Sequence, residues 1–266
     1  MLLGLLASSL LSPFFLDVTA DVRSAYITRG KVIEDRPMQI THIRPGWDTG
    51  VIGKFGYRGW LVSSLTDRRS EVHRRAFYET DSGIFWNYAW KIDEDGRWRL
   101  VTEVLKNWMK FNGYTAAAHA KGSDDRIDEW RFGNALENPY VTPYWLHRRG
   151  IREKDWSYYQ VGLRKKFPLS ESVSLTLDYQ VDFGNRRHML VRYGGFRDGT
   201  SYSNDIQSST VFVTLGWQVT DWCELRAGVH QFDLLSSKAR RACDDHKANF
   251  GHKDLTVGVI SCRLRF

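Results

Sequence analysis

The sequence predicts an all-β fold, a single antiparallel up-and-down β-barrel of about twelve strands over residues 15–266. Apolar and polar residues alternate with a period of two along most of this range, which is typical of strands with one apolar and one polar face. Aromatic residues make up 14% of the chain, yet its mean hydropathy is −0.44. Short and long connections between the predicted strands also alternate, and the three observations together indicate a barrel.

Composition indicates what surrounds such a barrel. The 266 residues include 14 Phe, 12 Tyr and 11 Trp, and no stretch approaches the roughly 20 apolar residues of a membrane-spanning helix. Many aromatic residues with a polar average are typical of a transmembrane barrel whose outer face contacts lipid and whose inner face contacts water. The formal net charge is +7, but the basic residues are spread along the chain, which argues against a nucleic-acid partner.

The chain begins with an apolar run, from Met1 to Ala7, that lacks a basic start. It resembles the apolar part of a secretory signal, and Ala7-Ser8-Ser9 offers small residues for cleavage. We interpret residues 1–14 as the remnant of a signal peptide or as an N-terminal extension, which implies export. A buried N-terminal helix or strand is the alternative.

The alternation is clearest in residues 173–183, where every odd position is apolar and every even position is polar. Similar patterns predict twelve strands, near residues 15–29, 37–44, 50–64, 82–92, 97–111, 126–136, 139–148, 155–166, 172–183, 208–219, 222–233 and 252–266.

Tight turns follow every second predicted strand, at residues 45–49, 93–96, 137–138, 167–171 and 220–221. The other connections are longer, at residues 30–36, 65–81, 112–125, 149–154, 184–207 and 234–251. In outer-membrane barrels the short turns are periplasmic and the long loops face outside. An even strand count places both chain ends on the periplasmic side, and no shift in composition marks a second domain.

A soluble β-sandwich is the alternative fold, because its strands would also alternate. It would not need aromatic residues beside the strand ends, where a membrane barrel has an interfacial girdle. Trp98, Tyr140, Phe167 and Trp222 all lie beside predicted short turns. Their positions favour the barrel.

The last strand ends on an aromatic residue. Ile260, Leu264 and Phe266 share its apolar face, whereas Arg263 and Arg265 share the other face. A terminal Phe after alternating apolar residues resembles the signal by which bacterial outer-membrane barrels engage their insertion machinery. The resemblance implies that machinery as a partner and the bacterial outer membrane as the location.

Two further segments resemble a family of porin-like proteins called Gcw_chp or TorF-like. Tyr26-Ile27-Thr28-Arg29-Gly30 matches a tyrosine-x-x-arginine-glycine signature that ends the first strand in that family, and residues 138–145 resemble its Asn-Pro…Pro-Tyr region. The resemblance extends loosely over residues 15–266 and implies an exported barrel. This chain departs from the family in its longer and more basic loops.

Charged residues on the polar strand faces are expected to line the lumen. The predicted lining residues are Asp17, Asp21, Arg23, Lys54, Arg58, Lys91, Arg99, Glu103, Glu129, Arg131, Arg164, Asp178, Asp182, Glu224, Arg226, Arg263 and Arg265. They comprise ten basic and seven acidic side chains. Twelve strands lie between filled and open barrels, so two functions stay open: passive diffusion of small solutes with a mild anion preference, or a closed structural or surface-binding barrel without conductance.

Two predicted loops carry clustered bases. One holds Arg68, Arg69, Arg74 and Arg75, and the other holds Lys238, Arg240 and Arg241. If these loops face outside, their donors suit lipopolysaccharide phosphates. Solvated basic loops without a ligand are the alternative.

We expect neither a catalytic site nor a cofactor. The histidines are scattered, and none has metal-ligand spacing such as H-E-x-x-H. An outer-membrane hydrolase is a third alternative, and its best candidate pairing is His188 with Ser201 or Ser203 in one loop. The three cysteines form no C-x-x-C pair, and we expect free thiols.

The C-terminal signal makes the first testable prediction. Phe266→Ala is expected to lower the amount of barrel in the outer membrane more than Phe183→Ala, because Phe266 would be recognised during insertion as well as contacting lipid. The measurement compares outer-membrane levels of the two variants. Equal levels would remove the signal interpretation.

Overall fold

The computed structural model describes residues 14–66, 79–111, 126–151, 156–196, 198–246 and 248–266. Twelve strands form a closed antiparallel barrel, in which consecutive barrel strands pair and the last pairs with the first. The prediction of an all-β barrel of about twelve strands is confirmed. No helix in the described ranges is long and apolar enough to cross a membrane.

The twelve barrel strands are β1 (Phe14–Arg23), β4 (Met38–Asp48), β5 (Lys54–Ser64), β6 (Glu79–Lys91), β7 (Arg99–Phe111), β8 (Arg126–Glu137), β9 (Thr142–Gly150), β10 (Ser157–Pro168), β11 (Val173–Gly184), β12 (Asp205–Thr220), β13 (Cys223–Leu234) and β14 (Asp254–Arg265). Apart from the first, the predicted strands agree with these bounds to within four residues. Two short strands, β2 (Tyr26–Thr28) and β3 (Lys31–Glu34), form a separate hairpin.

Pairing of β1 with β14 closes the barrel. Asp17 lies opposite Arg265 in this pair. Beyond it, the backbone N–H groups of Leu16 and Phe266 each donate to the other residue's carbonyl at 2.9 Å. A closed ladder has no edge strand with unpaired backbone groups, as a sheet in lipid requires. Closure also excludes the sandwich alternative, whose sheets have open edges.

The outward face of the barrel is largely apolar. On β12, for example, Val211, Val213 and Leu215 are 41%, 40% and 47% exposed. Large aliphatic and aromatic side chains are exposed in this way on strands around the barrel. Such a belt matches the apolar band by which transmembrane barrels contact lipid.

Aromatic rings gather at the end of the barrel that carries the short turns. The ring centroids of Trp98 and Tyr140 are 6.4 Å apart, and those of Trp222 and Phe266 are 6.0 Å apart. Phe167, beside another short turn, is also exposed. These rings form the girdle that the sequence predicts, at a position that suits a membrane interface.

Two of the predicted long loops contain helices. Helix α1 (Arg186–Tyr193) lies between β11 and β12, and helix α2 (Ser237–His246) lies between β13 and β14. Asn185 caps α1, since its side chain accepts a hydrogen bond from the His188 N–H at 2.8 Å. Neither helix is predicted from the sequence, because segments this short hold too few turns for a 3.6-residue period to be visible.

The first predicted strand is wrong beyond Arg23. Strand β1 ends there, and Tyr26–Glu34 fold back into the barrel as the β2–β3 hairpin. Arg29 and Gly30 form its turn with φ angles of 51° and 66°. Positive φ at both central residues is what a two-residue hairpin turn of type I′ requires. The predicted strand extends to residue 29 because β2 has the same period of two as β1, and the predicted connection at residues 30–36 contains β3.

The closed ladder makes a prediction about behaviour in detergent. Because every barrel strand is paired on both sides, the folded protein is expected to resist mild detergent and to migrate differently on a gel before and after boiling. Gel mobility of heated and unheated samples measures this. A water-soluble monomer obtained without detergent would contradict the membrane barrel.

Candidate functional site: the barrel interior

The register fixes which side chains face the barrel interior. Directly opposed residues on neighbouring strands share a face of the sheet. Side chains of non-neighbouring strands can bond to each other only across the lumen, so such a bond identifies the interior face. Arg44 on β4 donates to Glu103 on β7 at 3.1 Å, across two intervening strands. By register, all the predicted lining residues occupy interior positions: Asp17, Asp21, Arg23, Lys54, Arg58, Lys91, Arg99, Glu103, Glu129, Arg131, Arg164, Asp178, Asp182, Glu224, Arg226, Arg263 and Arg265.

Near the short-turn end, interior charges are paired around a cavity. Arg263 donates to both carboxylate oxygens of Asp17, and Arg226 lies 2.5 Å from Glu224. The cavity measures about 420 Å³. It is lined by Phe15, Leu16, Asp17, Arg44, Lys54, Phe85, Asn87, Arg263, Arg265 and Phe266. The charged residues that line this cavity are mainly basic, and apolar side chains complete its wall.

Halfway along the interior, one acid serves two bases. Glu103 accepts hydrogen bonds or ion pairs from Arg44 and Arg131, each at 3.1 Å. The three residues bridge β4 and β8 along one side of the barrel. Arg44 also lies over the Phe85 ring, 4.3 Å from its centroid. Side chains thus narrow the interior here with charged groups.

Arg58 has a different environment from its neighbours. It is the one interior arginine of the described strands with no carboxylate within ion-pair distance. Its Nε lies 3.1 Å from His42 Nε2, and its guanidinium lies 5.2 Å from the Trp60 ring centroid. These contacts leave the two terminal nitrogens for water or an anion, in the fork geometry that suits a carboxylate or phosphate.

The β2–β3 hairpin crosses the interior near the long-connection end. Arg29 donates to Glu129 on β8 at 3.0 Å, and Tyr26 donates its hydroxyl to Glu79 on β6 at 2.8 Å. From the opposite side, Gln207 on β12 donates to the Arg29 carbonyl at 2.8 Å. Strands β6 and β12 are half a barrel apart, so the hairpin spans the lumen from wall to wall.

An apolar cluster fixes the hairpin against both helices. Val32 of the hairpin packs with Tyr193 of α1, Cys243 of α2 and Phe232 of β13, all at most 2% exposed. The Tyr193 hydroxyl also donates to the Gly30 carbonyl at 2.5 Å. In the described residues, the hairpin and the two helices therefore close this end of the barrel.

Polar groups around the hairpin are incompletely satisfied. One carboxylate or amide oxygen each of Asp81, Asn107 and Glu129 is buried and has no hydrogen-bond partner among the described residues, which indicates water there. Lys31 is 5% exposed. Burial, with Arg192 nearby, lowers its pKa to about 7. The closed position of the hairpin therefore disfavours the charged form of Lys31.

Several interior charges lie outside the predicted set, and four of them bear on this site: Arg44, Glu79, Asp81 and Arg148. Arg148 donates to Glu129 at 2.8 Å and so shares the acid that holds the hairpin. Glu79 and Asp81 lie in a segment predicted as a loop, because the first residues of β6 come before the apolar alternation that marks this strand. Arg148 lies on a strand whose alternation is ambiguous, and Arg44 lies at a predicted strand end beside Pro45. The charges of the two bases and two acids offset one another.

Four of the predicted outer bases lie outside the described residues: Arg68, Arg69, Arg74 and Arg75. The other three belong to α2: Lys238, Arg240 and Arg241. Lys238 donates to the Ser201 carbonyl at 2.7 Å, and Arg241 pairs with Asp198 at 2.7 Å. Lys238 and Arg241 therefore tie α2 to the connection that carries α1, whereas Arg240 donates to the Leu234 carbonyl at 2.9 Å. A contact with lipopolysaccharide stays a prediction.

The candidate hydrolase pairing is not formed. His188 is 1% exposed, with its ring 5.6 Å from Trp156 and 5.3 Å from Tyr158 between centroids. No hydrogen bond links it to Ser201 or Ser203 in the described residues. Burial holds the pKa of His188 well below its ordinary value, so the ring is neutral. In the same residues, no group of three or more His, Cys, Asp or Glu is arranged to hold a metal ion.

The proposed assembly residues lie on the outward face of β14. Ile260 and Phe266 are 69% and 62% exposed, and Leu264 shares their register face. Phe266 also stacks on Trp222 across the neighbouring strand. Recognition of these residues by the insertion machinery stays a prediction.

Comparison with solved structures supports the fold. The COG4313 outer membrane channel from Pseudomonas putida F1 is 11% identical over 95% of each chain, with a TM-score of 0.55. The NanC porin is 11% identical over 94% of this chain and 98% of its own, with a TM-score of 0.50. No protein-family model and no curated protein sequence matches the chain. The resemblance to the Gcw_chp family therefore stays a prediction.

Fold and outer surface together define the class: a β-barrel with the architecture of bacterial outer-membrane channels. The apolar belt and the aromatic girdle are those that a barrel needs in that membrane. The predicted location in the bacterial outer membrane agrees with both.

The hairpin anchor makes a prediction about opening. Burial raises the pKa of Cys243 to about 11, so its thiol is protonated, and labelling requires the cluster around Val32 to open. Arg29→Ala removes a charged hydrogen bond, which contributes about 1.5–3 kcal/mol. We therefore expect labelling of Cys243 by a maleimide to be roughly ten- to a hundredfold faster.

Cys223 and Cys262 are replaced by Ser in this experiment, so that Cys243 alone reacts. Arg97→Ala is the control, since it breaks an exposed ion pair with Asp95 in a short turn at the other end of the barrel. An unchanged labelling rate in Arg29→Ala would show that Arg29 does not hold the hairpin.

Proposed function

We propose that the protein is an outer-membrane channel for passive diffusion of small solutes, with a mild anion preference, whose passage opens when the β2–β3 hairpin moves. The observation that carries the proposal is the interior: charged side chains continue from the cavity at the short-turn mouth, past Glu103 and Arg58, to the hairpin. A purely structural barrel can be filled with apolar side chains instead. A charged interior retains water, and water is what a diffusing polar solute needs.

The attachment of the hairpin supports a movable closure. Arg29 and Tyr26 hold it to the wall through side-chain hydrogen bonds to Glu129 and Glu79. Its strands β2 and β3 pair with each other and with no barrel strand. The hairpin can therefore leave the lumen without breaking the barrel ladder, whereas an additional barrel strand could not.

The anion preference rests on uncompensated positive charge in the middle of the passage. Arg58 has no acidic partner, and Glu103 is shared by Arg44 and Arg131. A solute that reaches this level meets more guanidinium groups than carboxylates. Confined charge of one sign raises the local concentration of the opposite ion.

A closed structural or surface-binding barrel is the second candidate. It is favoured by the cluster of Val32, Tyr193, Phe232 and Cys243, which packs the hairpin as a globular core would. The two candidates differ in whether this cluster ever opens in the membrane.

Single-channel recording in a planar bilayer distinguishes the candidates. The wild type is expected to conduct in brief steps, and Arg29→Ala is expected to conduct for a larger fraction of the time. In a salt gradient, the reversal potential should shift toward anions. No conductance from folded wild type or folded Arg29→Ala would favour the closed barrel.

Arg58→Gln tests the anion preference in the Arg29→Ala background. Removal of the unpaired charge is expected to reduce the anion-to-cation permeability ratio by about two- to fivefold, since a desolvated charge is poorly screened. Arg99→Gln is the matched control: it removes the same charge at the mouth, where Arg99 is paired with Glu137 and exposed to salt. Equal effects of the two substitutions would contradict a special role for Arg58.

A further inference from the structure

Outward-facing bases are distributed unevenly around the barrel. In the half nearer the long connections, every outward-facing lysine and arginine of the described strands lies on β7, β8 or β9. Lys106, Lys110 and Arg149 belong to this group. On the opposite side, β13 and β14 instead place Asp233 directly across from Asp254 on the outward face. The outward face of β7–β9 near the long connections is therefore more basic than the rest of the described outer surface in that half of the barrel.

Lys106 is the centre of this surface. Its ammonium lies 5.6 Å from the ring centroids of both Trp108 and Trp130. Trp130 lies between Lys106 and Arg149 in register, so the backbone positions of the two bases are about 10 Å apart, two strand spacings. Lys110 follows four residues after Lys106 on the same face, about 13 Å away at the rise of an extended chain.

A positive charge on the lipid face is destabilising unless it lies near the headgroups or has an anionic partner. Asp128 is the single outward acid on β7–β9, so the bases exceed it in number. The backbone positions of these bases are about 10 and 13 Å apart, so their long side chains can contact two phosphates of one headgroup at the same time, whereas a single phosphate would draw all three to one point. The complementary group is therefore a headgroup with two phosphates.

A recess beside the bases suits the apolar part of such a lipid. It measures about 660 Å³ and lies on the outward face of β4–β8. Tyr57 and Trp108 border it, whereas Gly59, which lacks a side chain, and Ser82, whose side chain is small, leave room between them. Lys110 lies at its edge, so an acyl chain in the recess would leave its headgroup beside the bases.

We propose that Lys106, Lys110 and Arg149, with Trp108 and Trp130, form a site for a lipid whose headgroup carries two phosphates, in the leaflet that faces the long connections. The site needs the proposed orientation of the barrel but not conductance. Its failure and the failure of the channel proposal are therefore distinguishable.

Native mass spectrometry of the detergent-solubilised full chain tests the proposal. The probes are diphosphoryl lipid A, phosphatidylglycerol and inorganic phosphate. Wild type is expected to retain one diphosphoryl lipid A and to bind phosphatidylglycerol more weakly. The triple variant Lys106→Gln/Lys110→Gln/Arg149→Gln should bind lipid A roughly a hundredfold more weakly, since each base near a membrane surface contributes about fivefold.

Lys165→Gln is the matched control. Lys165 also faces outward, but it lies on β10 near the short-turn end and donates to the Pro139 carbonyl at 2.6 Å. Its removal should leave lipid A binding unchanged. Gel mobility before and after boiling shows that each variant is folded.

Three results would overturn the proposal. They are equal lipid A binding by the folded triple variant and wild type, equal loss of binding in Lys165→Gln, and displacement of the lipid by inorganic phosphate at comparable concentration. The last result would indicate a general anion site without lipid recognition.

Discussion

Backbone hydrogen bonding in lipid is the constraint on which the rest of the structure depends. Lipid offers no donors or acceptors, so a spanning sheet has to close on itself, and the β1–β14 pairing completes the ladder. Closure gives the sheet an inside and an outside, and it fixes the register. A slip of one residue would move Val18 and Ala20 inward and Asp17 outward. The location of every interior charge follows from this pairing.

Charges that the register places inside have to be compensated there, because burial of an isolated charge is costly. The interior meets this requirement by sharing acids between bases. Glu103 contacts Arg44 and Arg131, and Glu129 contacts Arg29 and Arg148. Sharing leaves the middle of the interior positive, whereas a pairing of each base with its own acid would have neutralised it. The anion preference proposed for the passage is a consequence of this sharing of acids between bases.

The strands could be predicted from sequence because their signal is local: a period of two is visible within residues 173–183 alone. The interior faces followed from the same period. The hairpin could not be predicted, because its distinguishing contacts, such as Arg29 with Glu129, join residues far apart in the chain. Within the local pattern, Tyr26–Thr28 is indistinguishable from the end of a longer β1. The hairpin turn at Arg29 and Gly30 was read as a strand end.

Strand alternation also explains why one side of the barrel is charged on both faces. Glu129 faces inward and holds the hairpin, and the next residue, Trp130, faces outward against Lys106. Inside, the protein itself supplies the partner, because the hairpin brings Arg29 to the acid. Outside, Lys106 and Arg149 face the membrane, so a partner of opposite charge has to come from the headgroups. The attachment of the hairpin and the proposed lipid site therefore meet on β8, where Glu129 faces the interior and Trp130 faces the membrane.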